Sequence, residues 1–249
     1  MAVIGIIGGS GLDNPDILSR PRDERITTYW GEPSSPLRRG TIGGREVALL
    51  ARHGREHTIP PSQVNYRANV AALKDAGCTH IIATTAVGSL REEIRRGDLV
   101  IIDQFIDFTK QRKMTYHESF KPGSPLHCPM ADPYDGGLRG LLIEECRRLA
   151  YPFHERGTVV TIEGPRFSSR AESLMFRTLG ADIINMSIAT ETVLANEMGI
   201  PYAAAAMSTD YDSWRSGEEP VSWEMVARVF AENAARVSAL LAGIIPRIT

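Results

Sequence analysis

Short apolar runs that each break into a polar cluster recur along this chain. That pattern restricts it to an α/β fold whose chemistry gathers at strand ends. The most telling run is Ala203-Ala204-Ala205-Ala206-Met207, closed by Ser208-Thr209-Asp210-Tyr211-Asp212. A stretch of small apolar residues reads as a buried strand. If the chain stays extended past it, Asp210 and Asp212 point the same way, because strand side chains repeat with period two. In open α/β sheets, ligands bind beyond the carboxyl ends of strands. Paired acids there suit a ligand that offers a hydrogen-bond donor and a nitrogen to protonate. The alternative for an isolated D-x-D is an Asx-turn with a solvated acid.

The other strand ends follow the same plan. Residues 3–7 form a first strand that runs into Gly8-Gly9-Ser10-Gly11. The spacing Gly5-x-x-Gly8-x-x-Gly11 is not the G-x-G-x-x-G of a dinucleotide fold. It is either a tight turn or a glycine turn whose N–H groups, with Ser10, approach an oxyanion. Residues 13–40 read as loop with one short strand, and residues 41–50 as a hairpin around Gly43-Gly44. The hairpin ends in Arg52-His53-Gly54-Arg55-Glu56-His57. This is a solvated basic loop or a concentrated anion site, since Arg grips phosphate oxygens with a planar fork. Gly54 and Pro60-Pro61 argue against a metal site there.

Residues 64–76 read as a helix, and residues 79–85 as a strand running into Thr85-Ala86-Val87-Gly88-Ser89. Residues 90–96 read as a charge-paired turn, and residues 99–102 as a further buried strand. Residues 104–135, with His117, His127 and Cys128, lack periodicity and read as a lid, an active-site loop or an interface. An amphipathic helix follows over residues 138–149, then a strand over 159–162. Ser169-x-x-Glu172 is a capping box that starts another helix. Phe167, just before it, is either a hydrophobic staple or a stacking partner for a planar ring. Ile183-Ile184 opens a strand ending in Asn185-Met186-Ser187, with a helix over 190–198. Val226, Phe230, Val237, Leu241 and Ile244 stripe a C-terminal helix that stops at Pro246. So many polar strand ends point to one composite pocket.

At 249 residues the chain suits one large α/β domain and is too short for two. A net charge of −2, with 23% charged residues, carries no nucleic-acid or membrane footprint. Cys78, Cys128 and Cys146 are widely spaced and odd in number, which argues against a disulfide framework or zinc site and for a reducing cytoplasm. The N-terminus lacks the basic region of a signal peptide. No window is expected to reach transmembrane length.

Taken together, GIIGGSGL, ARHGREHTIPPSQVNYRAN, TTAVGSLREE, DLVIIDQFID, TIEGPRFSSRAES, ADIINMS and STDYD closely resemble the S-methyl-5′-thioadenosine phosphorylases, in the trimeric purine nucleoside phosphorylase superfamily. The resemblance runs nearly end to end. It implies a single domain over residues 1–249, with a central mixed twisted sheet flanked by helices. It also implies phosphorolysis of the N-glycosidic bond of a 5′-methylthio-nucleoside in purine and methionine salvage. By matching position, Ser10, Arg52, His53, Thr85, Ala86 (through its backbone) and Ser187 hold phosphate. Met186 packs under the ribose, Phe167 faces the base, Asp210 addresses purine N7 as general acid, and Asp212 the exocyclic amine. The partners implied are the nucleoside and inorganic phosphate, with no metal or organic cofactor, in a homotrimer or paired trimers.

Three departures from the family pattern bear mostly on the 5′ group. Thr190 stands where the family has Pro, and the chain ends at Thr249, short of an extension found in some relatives. Trp223 replaces a small aliphatic residue lining the 5′-substituent pocket, either filling it or stacking beside it. His127 matches a position that reaches that pocket across the trimer interface. The rival readings are a phosphorylase for 6-oxopurine nucleosides or methylthioinosine, a hydrolase, a non-catalytic nucleoside-binding protein and, weakest, a dinucleotide-dependent oxidoreductase.

Overall fold

The computed structural model describes residues 2–9, 17–217 and 222–249. Its centre is the long strand β5 (Cys78–Ser89), around which the other elements are arranged. Before it come β1 (Val3–Gly8), β2 (Ser19–Glu24), β3 (Leu37–Ile42), β4 (Arg45–Ala51) and α1 (Tyr66–Asp75). After it come β6 (Leu99–Ile101), β7 (Gln104–Phe108), α2 (Gly136–Arg148), β8 (Phe153–His154), β9 (Thr158–Ile162) and α3 (Arg170–Thr178). The chain finishes with β10 (Ile183–Asn185), α4 (Ile188–Glu197), β11 (Tyr202–Asp210) and α5 (Trp223–Ile244).

All the strands among the described residues join one mixed sheet, ordered β2-β3-β4-β1-β5-β10-β9-β7, with β11, β6 and β8 branching from β5. β5 pairs in parallel with β1 along its first half, in parallel with β11 along most of its length, and antiparallel with β10 at its last two residues. One strand therefore carries three neighbours' ends to the same place.

Period-two alternation builds two cores. Ala204 and Ala206, with Ile81 and Ala83, pack toward α1 and α4, where Val70, Leu73 and Leu194 are buried. Ala203, Ala205 and Met207, with Ile82, pack toward α2 and α5, where Leu142, Phe230, Val237 and Leu241 are buried. Each buried Val, Leu, Ile, Phe or Met among them contributes roughly 1.5–3 kcal/mol by leaving water. The alanines keep β11 thin enough to lie between two helical layers.

Several expectations shift. β2 lies within the stretch 13–40 read as loop with one strand, and β3 begins in it before running into the hairpin. β2 runs Ser-Arg-Pro-Arg-Asp-Glu at the sheet edge with almost every residue exposed, so no apolar signal marks it. β7 lies inside the polar segment 104–135; it too is an edge strand, half-buried at most, held by backbone pairing to β9. The charges of residues 90–96 pair outward, Arg91 with Asp182 and Glu92 with Arg215, while Leu90 and Ile94 anchor the turn. The α5 segment, 223–247, does reach membrane-span length and hydropathy, contrary to expectation. Its apolar stripe is buried on the sheet.

Candidate active site

A cavity of about 360 Å³ opens where β4, β5, β9, β10 and β11 end, with the start of α5 along one wall. It brings together Arg52, His53, Thr85, Ala86, Phe167, Met186, Ser187, Asp210, Asp212 and Trp223. Ser10 lies outside the described residues.

The acid end forms at the tip of β11. Asp210 is 4% exposed, and burial pushes its carboxyl up to about 6. Donation from the Thr209 hydroxyl at 2.8 Å and the Asp212 N–H at 2.9 Å holds that rise back. The period-two argument for the pair is overturned. Asp212 has φ +43°, so the chain leaves the extended conformation before it, and the Asp212 N–H closes back on Asp210 Oδ2. That is the Asx-turn of the alternative reading, yet both acids stay buried in the cleft and are not solvated. Asp212 accepts from Ser168 Oγ at 2.5 Å, and burial raises its carboxyl too. Gly88 makes the approach feasible: a Cβ there would sit 3.0 Å from Asp210 Oδ2 and 3.2 Å from the Asp212 Cβ.

At the opposite end, Arg52 is fully buried against an equally buried Glu191. Nε and Nη2 donate to the two carboxylate oxygens at 2.5 and 2.9 Å, and Nη1 donates to the Thr84 carbonyl at 3.0 Å. Tyr202 donates to Glu191 at 2.9 Å. A guanidinium has five N–H groups, so this fork leaves two for an anion. Gly9 admits it, since a Cβ there would lie 2.4 Å from Nη1. Thr85 Oγ1 accepts from Asn185 Nδ2 at 3.3 Å, and Ser187 begins α4 without spending its hydroxyl on a cap. A helix N-terminus with a free hydroxyl favours an anion.

The sequence cluster does not enter as four cations. Arg55 pairs with Asp23 at the surface and takes no part in the cleft. Burial, then the charge of Arg52, pushes His53 down to about 3. Its Nδ1 lies 2.9 Å from the Ile59 carbonyl, so the proton sits on Nδ1 and Nε2 is left as an acceptor. His53 is thus a neutral partner for a protonated oxyanion.

The side walls are apolar. His53, His57 and Trp223 stack in series with ring centroids 4.5 Å apart. Trp223 is 46% exposed at the start of α5, so it stacks beside the cavity and does not plug it. Phe167 is half-exposed on the opposite approach, and the capping box after it forms as expected. Thr190, in place of Pro, is buried inside α4. His127 packs against Phe120 on an exposed loop and does not line the cavity of its own chain.

Sequence reasoning passed over Glu191, Ser168 and Gly88, and it read His57 as part of an anion cluster where it instead stacks between His53 and Trp223. Glu191 lies four residues after Ser187, one helical turn along, so spacing alone could have placed it under the same strand ends. Ser168 and Gly88 carry no local signal.

The comparisons agree with this geometry. A family model described as the phosphorylase superfamily matches residues 3–246. The S-methyl-5′-thioadenosine phosphorylase of Danio rerio is 53% identical, over 98% of this chain and 88% of its own. That of Thermofilum pendens is 51% identical, over 98% and 92%. Methylthioadenosine phosphorylase from Schistosoma mansoni, solved with adenine, superposes with a TM-score of 0.94 at 42% identity, covering 99% of this chain and 92% of that one. A mutant of the same enzyme solved with methylthioadenosine gives 0.93 at 40% identity, covering 99% and 91%. A cleft with a buried acid at one end and a tethered guanidinium at the other, on a chain matched almost throughout, places this protein in the phosphorylase superfamily, among the S-methyl-5′-thioadenosine phosphorylases.

Proposed function

We propose that the protein phosphorolyses S-methyl-5′-thioadenosine to adenine and 5-methylthio-ribose-1-phosphate, a salvage reaction. The observation that carries the reading is Asp210, a buried carboxyl raised to about 6, at the far end of one cavity from Arg52 and Ser187. Glycosidic cleavage develops positive charge on the sugar and negative charge on the departing base. Phosphate held by Arg52, His53, Thr85, the Ala86 N–H, Ser187 and Ser10 stabilises the first and is itself the nucleophile. Asp210 answers the second by donating its proton to N7. The C1′–N9 bond breaks as the C1′–O–P bond forms, so the scheme calls for no covalent enzyme intermediate and no cofactor besides phosphate.

Asp212, held by Ser168, accepts from a 6-amino group, whereas a 6-oxo group would set acceptor against acceptor. Buried polar groups left unpaired can discriminate by ~10⁴–10⁵. Met186 packs under the ribose, Phe167 faces the base, and the His57–Trp223 stack borders the 5′ group. The assay compares methylthioadenosine, adenosine, 5′-deoxyadenosine, inosine and methylthioinosine with and without phosphate. Phosphate-dependent adenine release, with the inosines poor, is expected. Turnover without phosphate, or a preference for inosines, would overturn the reading.

The working form is taken to be a homotrimer in which His127 serves a neighbour's pocket. Exposed Leu174 and Met175 on α3, with Leu179 capping its C-terminal end, favour such self-association. The free thiols of Cys78, Cys128 and Cys146 fit a reducing cytoplasm.

A further inference from the structure

Behind the cleft, and absent from its lining, lies a buried arginine from the long segment after β7. The Arg112 side chain is 2% exposed. Its Nε donates to Glu163 Oε1 at 2.8 Å, and its Nη2 donates to two carbonyls, Glu163 at 2.7 Å and Met186 at 2.9 Å. The guanidinium lies 4.9 Å from the Tyr66 ring centroid. The Tyr66 hydroxyl, from α1, lies 3.2 Å from the same Met186 carbonyl and 3.2 Å from the Pro61 carbonyl, and shares its one proton between them. Glu163 is held in turn by the N–H groups of Lys110 and Gln111, at 2.5 and 3.0 Å. The ends of β9 and β10 are thereby tied to α1 and to Arg112's own segment through one side chain.

We infer that Arg112 is a positioning residue for the reaction: by pinning the Met186 carbonyl it orients the Met186–Ser187 peptide that presents Ser187 to the anion and Met186 to the sugar. The inference rests on the phosphate role proposed above for Ser187. Its physical basis is the planar trans peptide, in which the carbonyl and the next N–H point in opposite directions. With the Met186 carbonyl drawn toward Arg112 and Tyr66, the Ser187 N–H turns the other way. There, among the described residues, it donates to Asn185 Oδ1 at a long 3.4 Å. Ser187 itself sits at φ −143°, ψ −39°, outside the helix it precedes, so its direction is not set by α4. Gly164 completes the arrangement, since a Cβ there would lie 2.5 Å from Met186 Sδ. A lysine could not span the same three acceptors, because the fork geometry belongs to arginine.

The test is steady-state kinetics on Arg112→Met, Arg112→Lys and Tyr66→Phe. Phosphate and methylthioadenosine are varied separately, with adenine binding by calorimetry as the control that touches neither sugar nor phosphate. A displacement of about 1 Å at a reacting group can cost ~10²-fold. Arg112→Met is therefore expected to raise the KM for phosphate by ~10–100-fold while the Kd for adenine stays within ~3-fold of wild type. Arg112→Lys should fall between, since charge persists but the fork does not. Wild-type phosphate KM in a folded Arg112→Met or in Arg112→Lys, or an equal loss of adenine binding, overturns the inference. Should Arg112→Met not fold, Tyr66→Phe decides: removing one neutral hydrogen bond to the same carbonyl is expected to raise the phosphate KM by ~2–10-fold. No change there also overturns it. Wild-type turnover that ignores phosphate would instead defeat the proposed reaction.

Discussion

Asp210 holds its proton up to about pH 6 because β11 carries it to the sheet's end with almost no water around it, and burial outweighs two donated hydrogen bonds. A general acid must be protonated to act. With a folded value of about 6, kcat/KM for the nucleoside at saturating phosphate should therefore decline as pH rises beyond about 6. Asp210→Asn should abolish that limb and lower kcat by ~10²–10⁴-fold. A wild-type profile with no such limb, or one that survives in the variant, would count against the assignment. Stability moves in the same direction. The unfolded carboxyl, near 3.8, loses its proton first, so the Asp210 contribution weakens folding as pH climbs from about 4 to about 6 and is constant above that. Arg52 poses the converse problem, a permanent charge out of water, and Glu191 with the Thr84 carbonyl offsets it.

Among the elements, α3 shows how a local signal shapes the cleft. Ser169 Oγ accepts from the Glu172 N–H at 3.2 Å, and Glu172 returns the bond to the Ser169 N–H at 2.8 Å. Arg166 adds a fork onto the same carboxylate and, with the Ser169 N–H, draws it down to about 2. Between Arg166 and Ser169 lie Phe167, which borders the cavity, and Ser168, which holds Asp212. Ser169→Ala should cost about 1 kcal/mol in urea unfolding, the usual worth of an N-cap. A loss below about 0.3 kcal/mol would mean that tertiary contacts, not the cap, start this helix. β5 is the complementary case: Thr85, Ala86 and Gly88 reach the cleft from it, but what brings the other strand ends to them is its having β1, β10 and β11 as neighbours, a matter of topology.

At the scale of the molecule, the α3 region leaves a group of apolar side chains exposed on one face. Leu174 and Leu179 are each about half exposed, with Met175 beside them and Phe108 on the neighbouring edge strand. Sedimentation of the wild type should give one species of about three chain masses. The paired change Leu174→Glu and Leu179→Glu should shift it toward a single chain. A wild type that sediments as one chain would sink the trimer.

What could be read directly from the residues was whatever leaves a periodic or local mark. The alanine run of β11, the Gly43-Gly44 hairpin, the Ser169 capping box and the stripe of α5 all follow from neighbours in the chain, as does the placing of Asp210 and Ser187 at strand ends. β2 and β7 left no such mark, because edge strands are held by backbone pairing and need no apolar side chains. The neutrality of His53, the turn that folds Asp212 back onto Asp210, the clasp of Glu191 on Arg52 and the hold of Arg112 on the Met186 carbonyl were decided only in three dimensions. Each depends on desolvation or on partners brought together across the fold, and no spacing within a segment encodes either.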